Sequence, residues 1–151
     1  MNQSIPLDEL YQDVILTHAK SPHNFGSLDE SAIKVSLHNP LCGDQIELYA
    51  SISDNVVHDL RFSGHGCSIS RAASSILTDL CKGKTVEEAQ IVVKKYHQLL
   101  TGEADESIRD SLGDLSVLEG VKKFPTRIRC ATLAAEAIST ALKRATCADG
   151  Q

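Results

Sequence analysis

The stretch Ile46-Glu47-Leu48-Tyr49-Ala50-Ser51-Ile52-Ser53-Asp54-Asn55-Val56-Val57-His58-Asp59-Leu60-Arg61-Phe62-Ser63 decides the fold. Ile46, Leu48, Ala50 and Ile52 alternate with Glu47, Tyr49, Ser51 and Ser53, the period-two signature of a strand with one buried face. Asp54-Asn55 supplies a turn and Val56 to Ser63 resumes as a strand, so the two form an antiparallel hairpin.

Working towards the N-terminus, Ala32 to Leu37 reads as a short strand, giving a small, mostly antiparallel three-stranded sheet. Leu7, Leu10, Tyr11, Val14 and Ile15 recur at three- and four-residue steps and predict an amphipathic helix from Leu7 to Ala19, ended by Ser21-Pro22-His23-Asn24-Phe25-Gly26. On the other side, Gly64-His65-Gly66 breaks the strand pattern. Ile69, Ala72, Ala73, Ile76, Leu77, Leu80 and Cys81 then follow at helical spacing up to Gly83, which places Cys67 at a helix start. Thr85 and Glu88 form a capping-box pattern for a second helix running to Leu100.

Thr101 to Gly120 has no clear period and is expected to be a loop carrying a short helix or two, such as Glu103 to Leu112. Pro125 suits a helix first turn, and Ile128, Ala131, Ala134, Ala135, Ile138, Ala141 and Leu142 continue it to about Ala145, with Cys130 in its second turn. Residues 146–151 are expected to form an unstructured tail. The fold class is α+β, one domain over residues 1–151, with the helices packed on one sheet face. No internal repeat or low-complexity tract interrupts it.

The composition narrows the function. The chain has 151 residues with a formal charge of −5, has no Lys/Arg run and is 4% aromatic, which speaks against nucleic acid as a partner. No apolar stretch reaches the roughly 20 residues of a membrane span, and the first residues lack the order of a secretory signal, so a cytoplasmic location is expected. Five cysteines in such a chain point to metal binding or thiol chemistry before disulfides.

The positions of three of them sharpen that expectation. Cys42-Gly43-Asp44 precedes the first hairpin strand and Gly66-Cys67 follows the second, so antiparallel pairing brings two thiols and a carboxylate together. Glycines at 43, 64 and 66 allow positive φ and close backbone approach around an ion. The positive end of a helix favours the Cys67 thiolate. Cys130 is either a third thiolate of the same site or a small core residue of an Ala-rich helix. With it, three thiolates and a carboxylate make a tetrahedral zinc site of net negative charge, for which Arg127, three residues before Cys130, is a candidate counter-cation. Cys81 reads as core, Cys147 as an exposed tail thiol, and His65 as a loop histidine that could serve as ligand or proton donor.

Asn39-Pro40-Leu41-Cys42-Gly43-Asp44, Gly64-His65-Gly66-Cys67-Ser68-Ile69-Ser70 and Arg127-Ile128-Arg129-Cys130-Ala131 resemble the iron-sulfur cluster assembly scaffold family. Leu10-Tyr11, His18 and Pro22 to Gly26 look like that family's first helix and loop. Within the family the SufU branch is the nearer match. Thr101 to Lys123 resembles the insertion SufU proteins carry, Arg129 stands where the IscU branch has a histidine, and Phe124-Pro125-Thr126-Arg127-Ile128 replaces the chaperone-binding segment of IscU.

The resemblance implies a SufE/IscU-like fold and a zinc protein of sulfurtransferase type that accepts persulfide sulfur from a SufS-type cysteine desulfurase and passes it to downstream cluster-assembly proteins. By the same resemblance Cys42, Asp44, Cys67 and Cys130 are zinc ligands, Cys42 is the sulfur acceptor and Arg127 lies behind the ligands. It further implies that a desulfurase histidine replaces Cys42 on the metal, restoring the nucleophilicity that coordination suppresses. Two other readings use the same residues: a scaffold building a labile iron-sulfur cluster, and a structural zinc module that only mediates protein contacts. A cysteine hydrolase fits less well, because no histidine and acid are spaced to suggest a triad.

Overall fold

The computed structural model describes residues 7–40 and 43–149, and side chains from 12 to 146 within that range. Three strands, β1 (Ile33–Asn39), β2 (Asp44–Ser53) and β3 (Val56–His65), form an antiparallel sheet in the order β1-β2-β3. Five α-helices follow the predicted order: α1 (Leu7–Lys20), α2 (Ser68–Cys81), α3 (Val86–Thr101), α4 (Glu106–Leu112) and α5 (Pro125–Asp149). An 11-residue 3-10 helix, Gly113–Lys123, links α4 to α5.

The hairpin is the one its alternation predicts. Ile46, Leu48 and Ala50 are buried, and Asp54 and Asn55 both take the positive φ values of a two-residue turn. One irregularity lies beyond simple alternation. Ser51 pairs with Asp59 but Ile52 pairs with Val57, leaving His58 as an extra residue on β3. This bulge resets the parity, so that Val57 and Leu60, three apart, both face the core.

The strand also continues where Gly64-His65-Gly66 was expected to break it: Gly64 pairs with Ile46 and His65 with Gln45. A Cβ on Gly64, whose φ is +121°, would lie 2.2 Å from the Gln45 carbonyl oxygen. The glycine therefore permits the backbones to approach rather than ending the strand.

Helices cover one face of this sheet. α5 crosses β1 and β2 while α2 lies along β3, with α1 on α2 and α3 on α5. Alanines 131, 134, 135, 137, 141 and 145 are buried on α5, and their small size lets the helix sit close to its neighbours. Thr85 and Glu88 form the expected capping box, and Gly102 ends α3 in the left-handed conformation. α5 extends past the expected end near Ala145 to Asp149.

The segment after α3 holds the expected short helix, α4, and departs from expectation beyond it. It is ordered into α4 and the 3-10 helix, and it buries Leu112, Leu115, Leu118 and Val121. Leu115, Leu118 and Val121 recur every third residue, which in a helix of three residues per turn stacks them in one column, and Leu112 closes α4 just before it, where Gly113 takes φ +56°. A spacing of three matches neither the period of 2 that marks a strand nor the 3.6 that marks an α-helix.

Candidate metal centre

The buried face of the sheet is apolar along its length and polar at one end. Asn39, the last residue of β1, pairs with Asp44, the first of β2, and both are buried. Cross-strand partners project from the same side of a sheet, so both side chains point towards the helices where aliphatic residues would otherwise continue the stripe. This end lies where β3 turns into α2 and where the second turn of α5 arrives.

Asp44, Cys67 and Cys130 come together at that point, with their ligand atoms all within 4.8 Å of one another. Asp44 and Cys130 are buried and Cys67 is partly exposed, so the cluster is closed below and reachable from the Cys67 side. Cys67 is the N-cap of α2, with extended backbone (φ −73°, ψ 170°). Its N–H donates to Asp44 Oδ1 at 2.9 Å, which ties the start of β2 to the start of α2. Cys130 Sγ receives the Asn39 side-chain amide at 3.9 Å. Behind Cys130, the Tyr96 hydroxyl donates to the Ala131 carbonyl at 2.7 Å and anchors the second turn of α5 to α3.

Gly66 shapes the site for a reason different from the one its sequence context suggests. Its φ is not positive; instead a Cβ there would lie 2.7 Å from Asp44 Oδ1 and 3.1 Å from Ser70 Oγ. The missing side chain makes room for the carboxylate. Gly43 does take positive φ, +74°, next to the β1–β2 connection.

The donor set fits a zinc ion. A carboxylate and two thiols in a buried cluster repel one another once ionised, and a divalent cation that accepts both sulfur and oxygen removes that repulsion. Two ligands of one zinc ion, each about 2.0–2.3 Å from it, lie roughly 3–4 Å apart, inside the 4.8 Å within which these three ligand atoms fall. The α2 N-terminus adds a favourable field for anionic ligands.

The remaining expected site residues separate. Cys42 lies outside the described residues. Arg127 is exposed on the first turn of α5, with its backbone N–H donating to Phe124 O at 2.8 Å. His65 is exposed at the end of β3, and no group of three potential ligands among the described residues includes it. Cys81 is buried in the core as expected, and burial pushes its thiol up to about 12, which keeps it protonated and unreactive. Asn39, Tyr96 and the steric role of Gly66 were not assigned from sequence. Asn39 was visible there only as a motif residue, and the other two depend on contacts made by remote segments.

Residues 10–131 match the family described as NifU-like N terminal domain. The chain is 44% identical over 139 residues to the zinc-dependent sulfurtransferase SufU of Bacillus subtilis, covering 91% of this chain and 92% of that protein. It is 41% identical over 138 residues to the iron-sulfur cluster assembly scaffold protein IscU of Streptococcus pyogenes, covering 91% and 86%. A crystal structure from Fervidobacterium islandicum, described as an iron-sulfur cluster assembly scaffold protein for the SUF system, superimposes with a TM-score of 0.77 at 29% identity, covering 89% of this chain and 97% of that one. No helix among the described residues is long and apolar enough to cross a membrane.

Proposed function

Because the chain belongs to the NifU-like N-terminal domain family, we propose that it serves iron-sulfur cluster biogenesis as a zinc-dependent acceptor and carrier of persulfide sulfur from a SufS-type cysteine desulfurase. The observation that carries this reading is the convergence of Asp44, Cys67 and Cys130 within 4.8 Å at one end of the sheet. Cys42 stands two residues before Asp44 and is proposed as the fourth ligand and the sulfur acceptor. Asp44, Cys67, Cys130 and Cys42 would hold the zinc, which would keep the cysteines as thiolates near neutral pH.

The chemistry asked of the chain itself is a thiol exchange. The Cys42 thiolate attacks the outer sulfur of the desulfurase persulfide, the sulfur-sulfur bond there breaks, and the desulfurase cysteine leaves as a thiolate while Cys42 becomes the persulfide. No net oxidation occurs. Asp44 holds the base of the segment carrying Cys42 through its bond to the Cys67 N–H, and Cys67 and Cys130 anchor the site while Cys42 reacts. Arg127, one turn before Cys130, is proposed to offset the negative charge of the ligands.

The test is direct. Purified protein is expected to carry about one zinc per chain. Cys42→Ala is expected to abolish stimulation of the desulfurase and persulfide transfer, measured by mass spectrometry after reaction with cysteine. Full stimulation by that variant overturns the proposal. The similarity to a protein named as an IscU scaffold favours a second reading, cluster assembly on the same ligands. Visible absorption after anaerobic reconstitution with iron and sulfide supports it, and a colourless protein that retains zinc counts against it.

A further inference from the structure

Asn39 occupies a position that an alternating strand would normally give to an aliphatic residue. Val35 and Asn39 are both buried on the inward side of β1, but Asn39 carries an amide into an environment where an unsatisfied polar group costs about 1–3 kcal/mol. Its main-chain carbonyl accepts from the Gly43 N–H at 2.8 Å. The side chain points instead at sulfur: Nδ2 donates to Cys130 Sγ, 3.9 Å away, across 91 positions of sequence.

We infer that Asn39 is a positioning residue of the metal centre, which aims Cys130 and moderates its donor strength through an N–H···S hydrogen bond. The inference rests on the proposed reading of Cys130 as a ligand. An amide donor to a thiolate withdraws electron density from sulfur, so the metal-sulfur bond becomes less covalent and the sulfur less basic. Ionisation of Cys130 on metal binding strengthens the contact, because donor bonds to a charged acceptor are shorter than those to a neutral one. Asp44, facing Asn39 across the strand pair, offers only acceptor oxygens when ionised and cannot replace this donor. The amide also restricts the Cys130 rotamer, so the buried sulfur is aligned before metal arrives.

Two measurements decide the matter. In the protein loaded with Co2+ in place of zinc, Asn39→Leu, which keeps the branching at Cγ and removes the donor, is expected to shift the sulfur-to-cobalt charge-transfer band to longer wavelength. An unshifted band in a folded Asn39→Leu protein overturns the inference.

The second measurement needs neither that variant nor metal. In the metal-free protein, the NMR signals of the Asn39 side-chain amide are expected to move on Cys130→Ala and to stay in place on Cys67→Ala. Equal response to both overturns the hydrogen bond. A wild-type protein that binds Co2+ without any thiolate charge-transfer band overturns the metal reading itself, and the amide measurement still decides whether the bond exists.

Discussion

At the scale of single residues, three glycines of similar sequence context do different physical work. Gly43 supplies a left-handed backbone, Gly64 an unobstructed strand pairing and Gly66 space for a carboxylate. Only the first two match the reading of these glycines as sites of backbone freedom, because the crowding at Gly66 comes from Asp44, 22 positions earlier. Gly66→Ala is therefore expected to push Asp44 out of line, costing about 1–3 kcal/mol of stability and weakening zinc retention. Gly43→Ala faces open space and pays only for its backbone, about 1 kcal/mol. Thermal unfolding together with competition by a chromophoric chelator separates the two, since zinc retention is expected to fall further in Gly66→Ala.

At the scale of elements, α1 and the loop that follows it are held to α2 by polar contacts that the sequence does not announce. His18 Nδ1 bonds Ser75 Oγ at 2.7 Å, the His23 N–H donates to the same oxygen at 2.8 Å, and the His23 ring pairs with Asp79. Asn24 donates to Thr78 and Asp79, and Arg71 Nε donates to the Ala19 carbonyl. Burial first, and then the neighbouring His23, hold His18 below its ordinary value of 6.5, while Asp114 and Asp79 oppose them. The folded protein thus binds this proton less readily than the unfolded chain. The stability from neutral His18 is present in full above pH 6.5 and drains away as pH falls below it. Protection factors in α1, taken relative to the intrinsic exchange rate at each pH, are expected to fall as pH drops below 6.5, and His18→Gln to flatten that dependence. An unchanged profile in His18→Gln would assign it to another group.

Tyr96 is a second unannounced tie. Tyr96→Phe removes the bond to Ala131 and is expected to cost about 1 kcal/mol, read as a fall in the urea midpoint, with the helical content of α5 retained. Elements with a regular period or a cap were legible: α1, α2, the hairpin and the Thr85-Glu88 box all stand where the pattern puts them. α4 falls inside the short helix expected over Glu103 to Leu112, whereas the 3-10 helix was not legible, because its order comes from burial against α3, α5 and α1.

At the scale of the whole molecule, the candidate centre joins the start of β2, the start of α2 and the second turn of α5. The hairpin makes the first two neighbours by pairing alone, which is why Asp44 and Cys67 could be placed together from sequence. Cys130 joins them only because α5 crosses β1 and β2, a packing choice with no local signature. A ligand bridging three remote segments stabilises the folded state alone, by about 4 kcal/mol at a free concentration 1,000-fold above its Kd. Chelation is therefore expected to lower the melting temperature and added zinc to restore it. A melting temperature indifferent to both would remove the metal from the folded protein's account.

The 3-10 column carries a consequence for how such chains change length. One residue inserted between Leu115 and Val121 rotates everything after it by about 120° and turns the buried side chains outward, whereas three residues complete a turn and return the column to phase. Gains and losses tolerated in this segment should come in threes, a rhythm to look for wherever related chains differ in length here.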